Sequence, residues 1–177
     1  YVKAQNEANV DVGDKANDAI RVTGSQLRCK VVGEGGNLGM TQLGRIEAAN
    51  RGVRLNTDAI DNSAGVDTSD HEVNIKILLD RIVHDGDLTI KQRNELLAAM
   101  TDDVADLVLM TNYWQNMLLS NGRSQQGALL PVHQRLMTAL EQRGLLDREI
   151  EFLPSDEEIA ERVKVGRGLS SPELSVL

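Results

Sequence analysis

Two stretches of this sequence concentrate residue types that hold small polar ligands. The first is Gly33-Glu34-Gly35-Gly36-Asn37-Leu38-Gly39. In a turn between a strand and a helix, glycine lets backbone N–H groups approach an anion or a ribose closely, because no side chain intervenes. Gly33, Gly35 and Gly39 approximate the dinucleotide fingerprint G-x-G-x-x-G, but Leu38 occupies its last position. Asp58, after the next strand, stands about where such a unit places a carboxylate on a ribose. On the motif alone, a tight structural turn that packs helix on strand competes evenly with a ligand loop.

The second stretch runs from Asn56 to Glu72 and begins just after a second short strand. Ligands of parallel sheets gather at the carboxyl ends of strands, so both loops are expected to face one crevice. Asp58, Asp61, Asp67, Asp70 and Glu72 with His71 raise the possibility of a metal site. Their spacing fits no calcium loop and only one His is present, so no metal is expected. Asp67 and Asp70 read instead as acids at a helix start, favoured by the helix dipole. By residue type alone, Asn62 suits a left-handed turn and Ser69 a helix N-cap.

These loops need elements to hold them. Residues 1–12 have no stable period, and Asp14 to Val22 is a short helix candidate closed by Thr23-Gly24. Leu27 to Val32 reads as a strand, Thr41 caps a helix to about Arg51, Gly52 suits a left-handed cap, and Val53 to Asn56 is a second strand. So short a crossover predicts parallel strands in a right-handed unit. From residue 67 onward only helical period remains. Ile75, Leu78, Leu79 and Ile82 form one apolar face, and Thr89 with Gln92 fits a capping box. Leu97, Met100, Val104, Leu107, Trp114 and Leu118 follow three- and four-residue steps and are expected in a core, with Asn121-Gly122 as the stop. Whether Thr101-Asp102-Asp103 restarts a second helix, the phase does not decide. Further helices are expected from Leu129 to Arg143, after Ser155 with Glu158, and at Ser171-Pro172-Glu173.

Composition narrows the classes. With 19 basic against 27 acidic residues the net charge is −8. Tyr1, Tyr113, Trp114 and Phe152 do not interleave with scattered basic residues, which argues against a nucleic-acid surface. No apolar run reaches the roughly 18 residues of a membrane span, and no signal pattern is present. Cys29 is alone in an apolar run, as expected of a buried, inert thiol in a reducing, cytoplasmic protein. The chain starts at Tyr1 and ends within the first turn of a predicted helix, so a piece of a longer polypeptide is expected.

Lys30-Val31-Val32-Gly33-Glu34-Gly35-Gly36-Asn37, followed by Thr41, resembles the K-[IV]-[IV]-x-E-G-A-N pattern of glutamate dehydrogenases. Asp58-Ala59-Ile60-Asp61-Asn62-Ser63-Ala64-Gly65-Val66-Asp67-Thr68-Ser69 is similar to that family's P-D-x-x-x-N-A-G-G-V-x-x-S. Residues 11–79, with the helical continuation to Leu177, resemble more closely the very large NAD-specific bacterial branch. Gly36, Gly39 and Ser63-Ala64 depart from the family pattern.

The resemblance implies NAD as cofactor and oxidative deamination of L-glutamate to 2-oxoglutarate and ammonia. It places Gly33, Glu34, Gly35 and Asn37 on the cofactor, with Asn37 beside the nicotinamide ribose. Asn62 falls near both nicotinamide and substrate, and Ser69 on the substrate's side-chain carboxylate. The family's phosphate loop and its catalytic lysine and aspartate have no counterpart here, so no catalytic residue is expected in this chain and no turnover from it alone. The fold class expected is an α/β fragment, mostly α: a partial Rossmann-like strand–helix–strand unit over residues 1–66, then a helical region over 67–177. Expected partners are the substrate pair, the remainder of the polypeptide and further copies in a homo-oligomer. A non-catalytic helical packing or assembly module is the competing class.

Overall fold

A computed structural model describes all 177 residues. The chain is mostly helical, with short parallel pairings at its amino-terminal side. Strand β1 (Val2–Lys3) pairs in parallel with β2 (Val22–Thr23), and Val2 also bridges Met40 in parallel. The strands predicted at 27–32 and 53–56 contract to one parallel bridge, Val31 with Arg54, sealed by Val32 N–H to the Arg54 carbonyl and Arg54 N–H to the Lys30 carbonyl, each 2.9 Å. Their direction is as predicted. Their brevity follows from having one partner each, since parallel strands depend on neighbours on both edges and cover on both faces.

Asn9–Val12 forms helix α1, and 3₁₀ turns occupy Lys15–Ile20 and Gly24–Gln26. Helix α2 (Gln42–Asn50) begins where predicted: the Thr41 hydroxyl accepts the Gly44 N–H at 3.0 Å. Arg51 and Gly52 end it, Gly52 at φ 94°. A Cβ on Gly44 would lie 2.9 Å from the Lys3 carbonyl carbon, so glycine lets α2 rest directly on β1. Met40, Val53 and Leu55 are buried with Ala48 of α2 in one cluster, with Val2, Leu27 and Val32 packed against it. Glu47 ties α2 to the loops by accepting the Gln5 and Ser25 N–H groups. Burial pushes its carboxyl up, and those hydrogen bonds together with Arg51 leave it below the usual range.

The carboxyl-terminal side is all helix: α3 (Asp58–Asp61), α4 (Ser63–His84), α5 (Ile90–Ala99), α6 (Thr101–Ser124), α7 (Gln126–Gln142), α8 (Asp156–Lys164) and α9 (Ser171–Val176). Met100 separates α5 from α6, which resolves the undecided phase in favour of two helices. The capping boxes Thr89/Gln92 and Ser155/Glu158 form as read. Helix α6 runs past Gly122 to Ser124; a Cβ there would meet Leu174 at 3.4 Å, so the residue serves packing of α6 on α9 rather than a stop. Leu130, Met137, Leu153, Ile159 and Leu169 make a second core, joined by Leu174 and Leu177. Helix α9 links the two cores, because Gln42 of α2 donates to the Pro172 carbonyl at 3.0 Å.

Two expectations about burial fail. Leu107, Trp114 and Leu118 are exposed, Trp114 by 63% and Leu118 by 72%. Cys29 is also exposed, because the run around it pairs only through Val31. The accessible surface is 11385 Å², whereas a compact monomer of this mass has about 8,500 Å². The periodicity marks an apolar face, but three of its six residues stand outside any core of this chain.

On α7, the Nδ1 atom of His133 is shut off from water without a partner, and burial lowers the imidazole's pKa. A depressed folded-state value means that protonation opposes folding. This contribution is complete above about pH 6.5, the ordinary value, and is lost as pH falls through the folded-state value. Urea midpoints at pH 8 and pH 5.5 are expected to differ less in His133→Gln than in the parent chain.

Candidate functional site

The glycine loop and the α3–α4 segment meet side by side. The Asn62 carboxamide donates from Nδ2 to Oδ1 of Asn37 at 2.9 Å on the exposed side of the junction. The same two segments are stitched by backbone bonds. Glu34 N–H donates to Asp61 Oδ2 and Leu38 N–H to Asp58 Oδ2, both at 3.0 Å. The second of these holds Leu38 at φ 64°, a left-handed conformation unusual for leucine. Asp58 is therefore engaged by the loop's own Leu38 N–H and by the Arg45 guanidinium.

Beneath the loops lies Arg45 of α2, 5% exposed. Its guanidinium reaches Glu34 Oε2 at 2.9 Å and Asp58 Oδ1 at 3.4 Å, so one buried cation joins the two segments. Glu34 Oε1 in turn accepts the Gly39 N–H, and a Cβ on Gly39 would stand 3.1 Å from that oxygen. Glu34 is thus spent on holding the loop and is half-buried.

Gly33, Gly35 and Gly36 differ from Gly39. None has a positive φ, and a Cβ at any of them would meet nothing within 4 Å. Neither backbone strain nor packing inside this chain asks for glycine there. A tight structural turn within this chain therefore does not explain these three glycines.

Ser69 is exposed in the second turn of α4. The helix begins at Ser63, six residues earlier than Ser69, so Ser69 caps nothing, and Asp67 and Asp70 lie past the first turn. Asp67 pairs with His71 at 3.6 Å within the helix. Asn62 occupies the N-cap position at φ −102°, which excludes the left-handed turn. Seven residues separate Asn62 from Ser69, so both lie on one helical face, about 10 Å apart along the axis. Gly65 keeps the first turn clear, since a Cβ there would lie 3.1 Å from Asn62 Oδ1.

Sequence reasoning missed the support from α6. Asn112 Nδ2 donates to the Ile60 carbonyl at 2.9 Å and to Ser63 Oγ at 2.8 Å. Asn116 Oδ1 accepts from Asn56 Nδ2 at 2.9 Å. The available signal was their four-residue spacing, which puts two amides on one face of α6. No group of three or more His, Cys, Asp or Glu side chains is arranged to hold a metal ion, and no helix is long and apolar enough to cross a membrane.

Comparison with known proteins finds relatives along the whole chain. The family described as bacterial NAD-glutamate dehydrogenase, catalytic domain, matches residues 1–122. Across its whole length the chain is 58% identical to the NAD-specific glutamate dehydrogenase of Halomonas elongata, 59% to that of Pseudomonas aeruginosa and 54% to that of Mycobacterium tuberculosis. It spans 11% of the length of each. With a family match over residues 1–122 and relatives more than half identical along its whole length, the chain belongs to the bacterial NAD-glutamate dehydrogenase family.

Proposed function

We propose that this chain, within an enzyme of its relatives' length, forms the nicotinamide-side wall of a dinucleotide site. The enzyme converts L-glutamate, NAD and water to 2-oxoglutarate, ammonium, reduced NAD and a proton. The observation that carries this reading is the Asn62–Asn37 contact at 2.9 Å, which brings the two family motifs to one surface. The bare cradle at Gly33, Gly35 and Gly36 fits a cofactor that approaches the backbone closely. When bound, NAD supplies the acceptor for the hydride that leaves the glutamate α-carbon.

Within that site the chain's residues bind and orient. Glu34 fixes the loop while the Asn37 carboxamide hydrogen-bonds a ribose hydroxyl. The Asn62 carboxamide orients the nicotinamide amide on one side and the substrate on the other. The Ser69 hydroxyl, two turns along the same face, donates to the substrate's side-chain carboxylate. No residue here serves as the base for the substrate amine, so that group belongs to another part of the polypeptide and the chain alone gives no turnover. Residues 1–66 then contribute a partial Rossmann-like unit and 67–177 the substrate-facing and supporting helices. The same reading takes the rest of the polypeptide and further copies as partners, and amino-acid catabolism in the cytoplasm as the setting.

Kinetics of the full-length enzyme test this. A hydrogen bond to a charged group contributes about 1.5–3 kcal/mol, so Ser69→Ala is expected to raise the KM for glutamate ten-fold or more with the KM for NAD little changed. Asn62→Ala is expected to lower kcat/KM for both. Unaltered constants in both variants would refute the assignment.

A further inference from the structure

We infer that Asn112 of α6, supported by Asn116, is a positioning residue for the reaction and acts through Asn62. The inference rests on the proposed role of Asn62 at the nicotinamide. The two acceptors that Asn112 holds, the Ile60 carbonyl and Ser63 Oγ, flank Asn62 on either side. One is in the last turn of α3 and the other is the first residue of α4. Asn62 sits between them at the junction, on the exposed side, where its only side-chain partner in this chain is Asn37. A primary amide presents two N–H donors in one plane, so a single Asn satisfies both acceptors and fixes the angle between the two helices. A carboxylate of the same size cannot donate to either.

Asn116, one turn along α6, extends the clamp. Its Nδ2 donates to the Asn112 carbonyl at 3.0 Å, and its Oδ1 takes the Asn56 amide. Asn56 also reaches Asp61 Oδ1 at 3.2 Å, and the other oxygen of Asp61 receives the Glu34 N–H. A continuous hydrogen-bonded path thus runs from α6 through the α3–α4 junction to the glycine loop. Helix α6 otherwise carries no evident chemistry; these two amides give it a task at the site.

The test is a double-mutant cycle in the full-length enzyme, reading kcat and KM separately. Asn112→Asp is expected to lower kcat/KM for glutamate by ten- to a hundred-fold and to raise the KM for NAD. On an Asn62→Ala background the same change is expected to have almost no further effect, because contacting residues that act as one unit are strongly non-additive. Ser63→Ala removes only one acceptor and is expected to give a loss of about three-fold, also absent on the Asn62→Ala background. It keeps the cycle decisive if Asn112→Asp fails to fold. A purely structural role would instead reduce the active fraction, lowering apparent kcat at constant KM and equally on both backgrounds; that result, or no loss from either variant, overturns the inference. If Asn62→Ala alone leaves kinetics unchanged, the nicotinamide reading beneath it fails and the inference falls with it. If Asn62→Ala is impaired and the Asn112 and Ser63 effects are additive to it, only the positioning role is lost.

Discussion

Replacing Arg45 with Met is expected to destabilise the chain by about 3–5 kcal/mol, the range for removing one partner of a buried ion pair. The cause is geometric. Arg45 is buried, and its guanidinium is the cation shared by Glu34 and Asp58, whose side chains are 11% and 17% exposed. Without it two largely desolvated carboxylates face each other at the point where the glycine loop crosses the α3–α4 segment. Each also holds a loop N–H, Gly39 for Glu34 and Leu38 for Asp58, so the loop conformation goes with the charge balance. A lowered urea midpoint measures the first effect. In the full-length enzyme the KM for NAD is expected to rise at least ten-fold. Arg45→Lys keeps the charge but not the planar fork that reaches both carboxylates, and should fall between Met and the parent. A Met variant with parental midpoint would remove Arg45 from the account.

Glu173→Ala is expected to cost a similar amount, about 3–5 kcal/mol, from the opposite end of the chain. Glu173 is 1% exposed and takes a two-pronged contact from Arg162, at 2.7 and 3.1 Å. The same carboxylate closes the α9 capping box, accepting the Ser170 N–H and hydroxyl at 2.6 and 2.7 Å. Its loss leaves Arg162 without an anion and the first turn of α9 without its cap. Helix α9 presses on α2 through Gln42 and Pro172 and on α6 through Leu174 and Gly122. Detaching it should therefore loosen the helix that carries Arg45. Hydrogen exchange is expected to show faster exchange in α2 as well as α9, and unchanged exchange in α2 would show the two cores to be independent.

What was legible in the sequence was mostly local. Thr41, Thr89/Gln92, Ser155/Glu158 and Gly52 were readable because a cap is a contact between residues at most four apart, with its chemistry written in the side chains. The parallel sense of the pairing at Val31 and Arg54 followed from the short crossover. That the two polar segments lie side by side follows from the strand ends, and Asn37 does meet Asn62. The agents that hold them were not legible. Arg45 looks like any helical arginine until α2 is laid beneath both loops, and Asn112 lies 49 residues from Ser63. Trp114 and Leu118 show the complementary limit. Apolar spacing states that a face must be covered and is silent on what covers it, and a chain of about a tenth of its relatives' length leaves such faces open.

Gly35 gives the role of the glycine loop its most direct test. In this chain a Cβ on Gly35 meets nothing and its backbone is not left-handed, so Gly35→Ala should leave folding unchanged or stabilise it by up to about 1 kcal/mol. If the loop is the wall of the nicotinamide site, the same methyl group obstructs the cofactor. The account predicts a KM for NAD raised at least ten-fold in full-length Gly35→Ala enzyme, at a thermal midpoint unchanged or slightly raised. A parental KM for NAD in a normally folded variant would contradict it.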